Sequence, residues 1–214
     1  MIKAVLFDLD GTLADTAPDL GYALNLMRRA RGLADVPLEQ TRPRTSMGAR
    51  GMLAAGFGIG ADHADYEAMR LEFLANYEAN LCRESCLFPG MSELLDGIEA
   101  RGLRWGVVTN KAERYALPLI ERLGLATRSG CVIGGDTTPH AKPHPAPLLA
   151  GAERIAIPAP ACLYVGDDAR DIEAARAAGM GAVAAAYGYL NGHDPQAWRA
   201  DILIQTPVEL LAHL

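Results

Sequence analysis

Ala4-Val5-Leu6-Phe7-Asp8-Leu9-Asp10-Gly11-Thr12-Leu13 passes from an apolar run into two carboxylates and a glycine turn. The unbroken apolar run predicts a buried strand, with Asp8 and Asp10 at its carboxyl end. Side chains two apart in an extended chain share a face, so both carboxylates occupy one small volume. Like charges that close resist joint ionisation unless a cation or a proton offsets them. Hard oxygen ligands suit a divalent cation such as Mg2+. Gly11 permits a sharp exit from the strand, and Thr12 adds a hydroxyl beside the acids. Open α/β sheets bind ligands at this edge. A solvated Asp-Gly turn is the other reading of these residues, and the downstream sequence decides between the two.

The chain has 214 residues, 50% of them hydrophobic, and a formal charge of −6. That is enough to bury one core, in a single domain or a domain carrying an insert. The mild acidity, with no basic cluster to offset it, argues against nucleic acid as a partner. No apolar stretch approaches the roughly twenty residues of a membrane span. Met1-Ile2-Lys3 runs straight into the first strand and leaves no room for a signal peptide, so a cytoplasmic protein is expected. A monomer and a homodimer both remain open.

Cys82 and Cys86 are one helical turn apart, a spacing open to a disulfide or half a metal site. With no second Cys/His pair at zinc-like spacing, ordinary buried thiols are expected for this pair; Cys131 and Cys162 stand apart from it. Of the basic residues, seventeen are arginine and three lysine. Two of those lysines, Lys111 and Lys142, fall in candidate site loops.

Strand-like runs recur at Lys3–Phe7, Leu103–Val108, Cys131–Ile133, Ala161–Val165, Gly181–Tyr187 and Asp201–Ile204. Helical patterns at Met91–Arg101, Tyr115–Leu123, Leu148–Ile155 and Ala169–Ala178 alternate with them. Such alternation predicts an α/β fold, a Rossmann-like doubly wound parallel sheet. One segment breaks the rhythm. Residues 15–86 hold no convincing strand, while Leu20, Ala23, Leu24 and Met27 form one helical face and Tyr66, Met69, Phe73, Tyr77 and Leu81 another. The first strand-to-helix connection is thus about seventy residues long, where about two to six is usual. An insert that size must bury its own apolar faces, so a small α-helical bundle is expected. The predicted organisation is a core of residues 1–14 and 87–214 with an inserted helical domain of residues 15–86.

Three further strand ends supply polar groups: Thr109-Asn110-Lys111, the Lys142-Pro143-His144-Pro145 loop, and Gly166-Asp167-Asp168-Ala169-Arg170-Asp171. Each has a plain alternative. Thr109-Asn110 fits a helix N-cap, Lys142 a solvated lysine, and Asp168 and Asp171 a helix N-terminus. What distinguishes them is their order, with carboxylates, hydroxyl, lysine and carboxylates each ending a successive strand.

In that order the elements resemble the motifs of the haloacid dehalogenase superfamily: DxDGT, a strand-ending threonine, a lysine in a KPxP loop, and GDDxxD. The resemblance spans nearly the whole chain, and residues 15–86 are similar to the mobile cap of that superfamily. It implies that Asp8 attacks phosphorus and forms an aspartyl phosphate. Asp10 then protonates the leaving oxygen and later activates water. Asp8, Asp167 and the Asp10 carbonyl would hold Mg2+, and Thr109 and Lys142 would bind the transferring oxygens. Gly11, Thr12 and Asn110 would contact substrate, while Asp171 and Asp168 would orient the metal or Lys142.

Fold alone does not set the reaction. Dehalogenases of the superfamily lack the second acid of the first motif, which is present here as Asp10. Phosphonoacetaldehyde hydrolases need a cap lysine, and residues 15–86 contain none. The β-phosphoglucomutase type carries a cap lysine and GDSxAGI, where this chain has GDDARDI. A Mg2+-dependent phosphomonoesterase acting on a small phosphorylated metabolite remains. Thr109-Asn110-Lys111 resembles phosphoglycolate phosphatases, with 2-phosphoglycolate the expected substrate. The loop Ser46-Met47-Gly48-Ala49-Arg50-Gly51, Tyr187-Gly188-Tyr189 and Trp198 are closer to N-acetylmuramate 6-phosphate phosphatases. Both substrates carry a carboxylate, for which Arg50 is the expected clamp; a solvated Arg50 is the alternative. A pyrophosphatase, a nucleotidase or a non-catalytic phosphate-binding regulator are the other possibilities.

Overall fold

A computed structural model describes all residues, 1–214. Six parallel strands form the sheet: β1 (Ala4–Phe7), β4 (Arg104–Val108), β5 (Val132–Ile133), β6 (Cys162–Gly166), β7 (Gly181–Ala185) and β8 (Ile202–Ile204). Their order is β5-β4-β1-β6-β7-β8. The chain leaves β1 for one side, then returns at β6 to build the other. Such a reversal opens a crevice beyond the strand ends, and here β1 and β6 flank it. All four β1 residues are fully buried, as expected of a strand covered on both faces.

Alternation along the strands divides the core in two. Val5, Phe7, Val107 and Val165 belong to one apolar cluster, while Ala4, Leu6, Val108 and Tyr164 belong to the other. Helices α5 (Met91–Ala100), α6 (Glu113–Arg122), α7 (Ala146–Arg154) and α8 (Ala169–Ala177) flank the sheet. Each carries an apolar stripe; Leu94, Leu95 and Ile98 of α5 are all fully buried.

Between the first two sheet strands lie α1 (Ala17–Ala30), α2 (Leu38–Thr41), α3 (Gly48–Phe57) and α4 (Tyr66–Ala79). Leu20, Ala23, Leu24 and Met27 face inward from α1, with Met52 and Leu53 of α3 and Phe73 and Tyr77 of α4 in the same apolar cluster as Phe7 and Trp105. The Arg42–Met47 stretch is a 3-10 helix leading into α3. Two short strands went unassigned in the sequence: β2 (Ala14–Asp15) and β3 (Cys86–Leu87) pair antiparallel where the helical segment leaves and rejoins the sheet. At two residues each they are too short to show alternation. All four cysteines are free, but Cys86 is exposed and Cys82 half-buried, which corrects the expectation of buried thiols there.

Candidate active site

Asp8 continues β1, its backbone N–H bonded to the Val165 carbonyl at 2.9 Å. Asp167 follows β6, and Asp171 lies in the first turn of α8. Oxygens of Asp8, Asp167 and Asp171 all come within 4.8 Å of one another, and all three residues are buried. Lys142 closes the group: its ammonium is 2.9 Å from Asp8 and 2.7 Å from Asp171, and 2.8 Å from the Tyr164 hydroxyl. The Asp8 oxygen facing it is close enough for an ion pair but not aligned to accept a hydrogen bond.

Two glycines allow backbone to close over Asp167. Gly11 has φ +88°, and a Cβ there would fall 2.3 Å from an Asp167 oxygen; at Gly188 it would fall 2.2 Å from the Asp167 Cβ. Asp167 accepts hydrogen bonds from the Thr12 hydroxyl at 3.0 Å and the Tyr189 backbone N–H at 2.8 Å.

Three carboxylates face one ammonium here. Burial, then Asp8 and Asp171, push the Asp167 carboxyl well above the usual range. Burial likewise raises Asp171, to about 6, against the opposing pull of Lys142. For Lys142, burial works to lower the pKa, but Asp171 and Asp8 outweigh it and hold the ammonium charged. Fully ionised, the three acids exceed the one ammonium by two negative charges. The cluster's oxygen-only donors and a buried Asp8 oxygen without a hydrogen bond match the demands of a hard divalent cation.

Asp10 projects differently. Its carboxylate accepts from the Thr16 hydroxyl at 2.5 Å and from the Lys111 ammonium at 2.9 and 3.1 Å. Thr109 directly follows β4 and is buried, its hydroxyl accepting the Lys111 N–H at 3.2 Å. Asp8, Asp10, Thr109, Lys111 and Lys142 line one side of a cavity of about 330 Å³, and Thr45, Ser46, Arg70, Phe73 and Tyr77 of the helical segment line the other.

Asn110 and Asp168 also line the cavity. Asn110 directs its amide to the Lys142 backbone, accepting the N–H at 2.9 Å and donating to the carbonyl at 3.0 Å, so it holds the lysine loop in place. Gly11 and Thr12 do not line the cavity; the Gly11 N–H bonds to Ala14 within the turn, and the Thr12 hydroxyl is committed to Asp167. Asp168 makes no contact with Lys142. It caps α8 in a reciprocal box with Asp171 and pairs with Arg170 at 2.8 Å. Arg50 is exposed on α3 and absent from the cavity wall. The arginines on that wall are Arg70, Arg114 and Arg170.

Sequence reasoning assigned no role to Lys111, Thr16, Tyr164 or Tyr189. Lys111 left a trace, as one of three lysines in an arginine-rich chain. Tyr164 left only a polar tip in an otherwise apolar strand.

A lysine-braced aspartate at the end of the first strand, with acids ending β6, belongs to a known class. The chain is a member of the haloacid dehalogenase-like hydrolases, whose family model matches residues 2–179. It is 50% identical over 209 residues to a phosphoglycolate phosphatase of Xanthomonas campestris pv. campestris, covering 97% of this chain and 94% of that one. It is 44% identical over 211 residues to an N-acetylmuramic acid 6-phosphate phosphatase of Pseudomonas aeruginosa, covering 98% and 93%. Among solved structures, a predicted phosphoglycolate phosphatase from Haemophilus somnus superposes with a TM-score of 0.86 at 27% identity, covering 99% of this chain and 97% of that one.

Proposed function

We propose that the protein is a Mg2+-dependent phosphomonoesterase acting on a small phosphorylated metabolite, with 2-phosphoglycolate the preferred substrate. The observation that carries this reading is the Asp8–Lys142–Asp171 chain beside Asp167, with Asp10 turned to the cavity. Asp8 attacks phosphorus; the new Asp8–phosphorus bond forms as the ester bond breaks, and Asp10 gives its proton to the departing alcohol oxygen. Water then attacks the aspartyl phosphate and passes a proton to Asp10, which releases inorganic phosphate and restores Asp8. Lys142 and Thr109 steady the transferring oxygens as their charge shifts. Mg2+, held by Asp8, Asp167 and the Asp10 carbonyl, would offset the repulsion between the nucleophile and a phosphate dianion.

Residues 15–86 serve as a cap that covers the phosphoryl site and excludes water. Residues 1–14 and 87–214 form the catalytic core. Tyr189, whose phenol meets Asp15 and the Thr16 N–H, and the β2–β3 ribbon join the two. We assign the enzyme to the cytoplasm, as a monomer or a homodimer. N-acetylmuramate 6-phosphate is the second reading, favoured by the 44% identical relative.

The test is phosphate release from both compounds and from a generic aryl phosphate, with Mg2+ and with EDTA, by the parent and Asp8→Asn. The parent should release phosphate only with the metal. Asp8→Asn should lose at least about a thousandfold in kcat while keeping its circular dichroism spectrum. Metal-independent release, or an active Asp8→Asn, would sink the mechanism.

A further inference from the structure

Away from its two linkers, the helical segment makes few hydrogen bonds to the sheet domain. Tyr189 and Asp10 meet Asp15, Thr16 and Ala17 at the outgoing linker, and Arg122 donates to the Leu81 carbonyl near the returning one. From residue 18 to residue 80, the hydrogen bonds across the boundary all fall on Ser46. Its carbonyl accepts from the Arg170 guanidinium at 3.0 Å, and its hydroxyl lies 3.5 Å from an Asp167 oxygen. Ser46, Asp168 and Arg170 all line the cavity.

Arg170 is held ready for this contact. Its Nε and Nη2 donate to the two oxygens of Asp168 at 2.8 and 3.0 Å, a fork that fixes the guanidinium plane. Asn191 donates to Asp168 from the other side at 2.6 Å. Nη2 carries the additional bond to Ser46. From Asp168 the connection runs inward without a break. The Asp168 backbone N–H donates to one Asp171 oxygen at 3.1 Å, and the other Asp171 oxygen accepts from the Lys142 ammonium at 2.7 Å. That ammonium is 2.9 Å from Asp8. A loop of the helical segment is thus joined to Asp8 through Arg170, Asp168, Asp171 and Lys142.

We infer that Arg170 is a positioning residue: seated on the Ser46 carbonyl, it holds the cap shut over the site and steadies Lys142 against Asp8 through Asp168 and Asp171. This rests on the phosphatase reading, in which Asp8 carries the phosphoryl group between the two steps. The consequence reaches the second step. While the cap is shut, the site admits water to the aspartyl phosphate but no larger acceptor. With the latch cut, an alcohol such as glycerol reaches it as well. The alcohol oxygen then bonds to phosphorus as the Asp8–phosphorus bond breaks, its proton passes to Asp10, and an alkyl phosphate leaves in place of inorganic phosphate.

Arg170→Met, Arg170→Lys and Asp168→Asn test the inference on p-nitrophenyl phosphate with Mg2+, with and without glycerol. Arg170 is 38% exposed, so its replacement spares the core. Lysine keeps the charge, but its single nitrogen cannot span both Asp168 oxygens and the Ser46 carbonyl. Asparagine keeps the helix cap while giving up one of the oxygens that Arg170 grips. Each variant should lower kcat about tenfold, with KM within a few-fold, and Arg170→Met combined with Asp168→Asn should be no worse than either alone. In glycerol the parent should release nitrophenol and phosphate in equal amounts. Each variant should release clearly less phosphate than nitrophenol, the difference appearing as glycerol phosphate. Amide hydrogen exchange over residues 42–47 should be several-fold faster in each variant than in the parent.

Unchanged exchange over residues 42–47 in Arg170→Met would overturn the inference whatever the activity. Parental kcat in Arg170→Lys would overturn it too, because charge alone would then be what Arg170 supplies. So would equal phosphate and nitrophenol in glycerol from every variant. A loss on phosphoglycolate that p-nitrophenyl phosphate does not share would make Arg170 a substrate-binding group instead. A parent that hydrolyses no monoester would refute the phosphatase reading itself, and the exchange comparison would still decide whether Arg170 holds the cap loop.

Discussion

The phenol oxygen of Tyr189 accepts the backbone N–H of Thr16 at 2.7 Å and so caps a helix that begins far away in the sequence. It also accepts the N–H of Ala17 at 2.9 Å and donates to Asp15 at 2.8 Å. Thr16 stands at the N-cap of α1 but makes no side-chain cap bond, because its hydroxyl is turned to Asp10. The first helical N–H groups need partners from elsewhere, and Tyr189 supplies two. Its own backbone N–H meets Asp167, so one residue ties the acid cluster to the start of the helical segment.

Tyr189→Phe should therefore cost about 1–3 kcal/mol, the penalty for leaving buried donors unsatisfied. Urea denaturation would show it as a lower midpoint at unchanged slope. The backbone bond to Asp167 survives the substitution, so the Mg2+ concentration for half-maximal activity should stay where it is. A variant as stable as the parent would mean that water replaces the phenol.

Asn110 grips the Lys142 backbone from both sides, which fixes where the buried ammonium sits relative to Asp8. Asn110→Ala frees that loop. Small misplacements of a catalytic group can cost up to about a hundredfold. The expected result is a fall in kcat of about 10- to 100-fold, measured by steady-state phosphate release. Asn110→Asp should not rescue it, because a carboxylate cannot donate to the Lys142 carbonyl.

The sheet was readable from the sequence because its central strands are buried on both faces and so appear as unbroken apolar runs, Ala4–Phe7 above all. The acids were readable because they follow directly on those runs. Long-range partners left no such mark. Nothing in the local sequence joins Tyr189 to Thr16 or Lys111 to Asp10, pairs 173 and 101 residues apart. Asn110 lines the cavity and also holds the lysine loop, whereas Thr12 is turned to Asp167; polar residues at strand ends can face either a ligand or a neighbouring loop, and only packing decides. Asp168 was ambiguous for a related reason, since the first turn of a helix favours acids with or without a ligand nearby.

Arg50 illustrates a different limit. In α3 small and apolar residues surround it, so periodicity says little about which way it faces; the buried positions are Gly51, Met52, Leu53 and Gly56. Exposed and without a partner, Arg50 should tolerate replacement by alanine within about 0.5 kcal/mol of parental stability. Its kcat/KM on phosphoglycolate should stay within about twofold, the factor that such an energy represents. A selective loss on acidic substrates would return it to the role of clamp.

The metal and pH should act on stability together. Asp171, raised by burial from 3.8 to about 6, and Asp167, raised well above the usual range, keep protons in the folded state that the unfolded chain has lost. Where the folded state binds more protons, stability falls with rising pH. Without metal, the contribution of Asp171 is thus fully present below about pH 3.8 and is lost as pH rises through about 6. A divalent cation needs the ionised oxygens and competes with those protons, so it should restore most stability where they are gone. At a Mg2+ concentration a hundred times its Kd the gain is about 2.7 kcal/mol, or roughly 5–10 °C in Tm for a chain this long. Thermal melts at pH 7.5 should show that gain over an EDTA control, and melts at pH 5 should show distinctly less. In Asp167→Asn the gain should largely vanish at both. An equal rise at the two pH values would mean that Mg2+ binds groups other than these buried carboxylates.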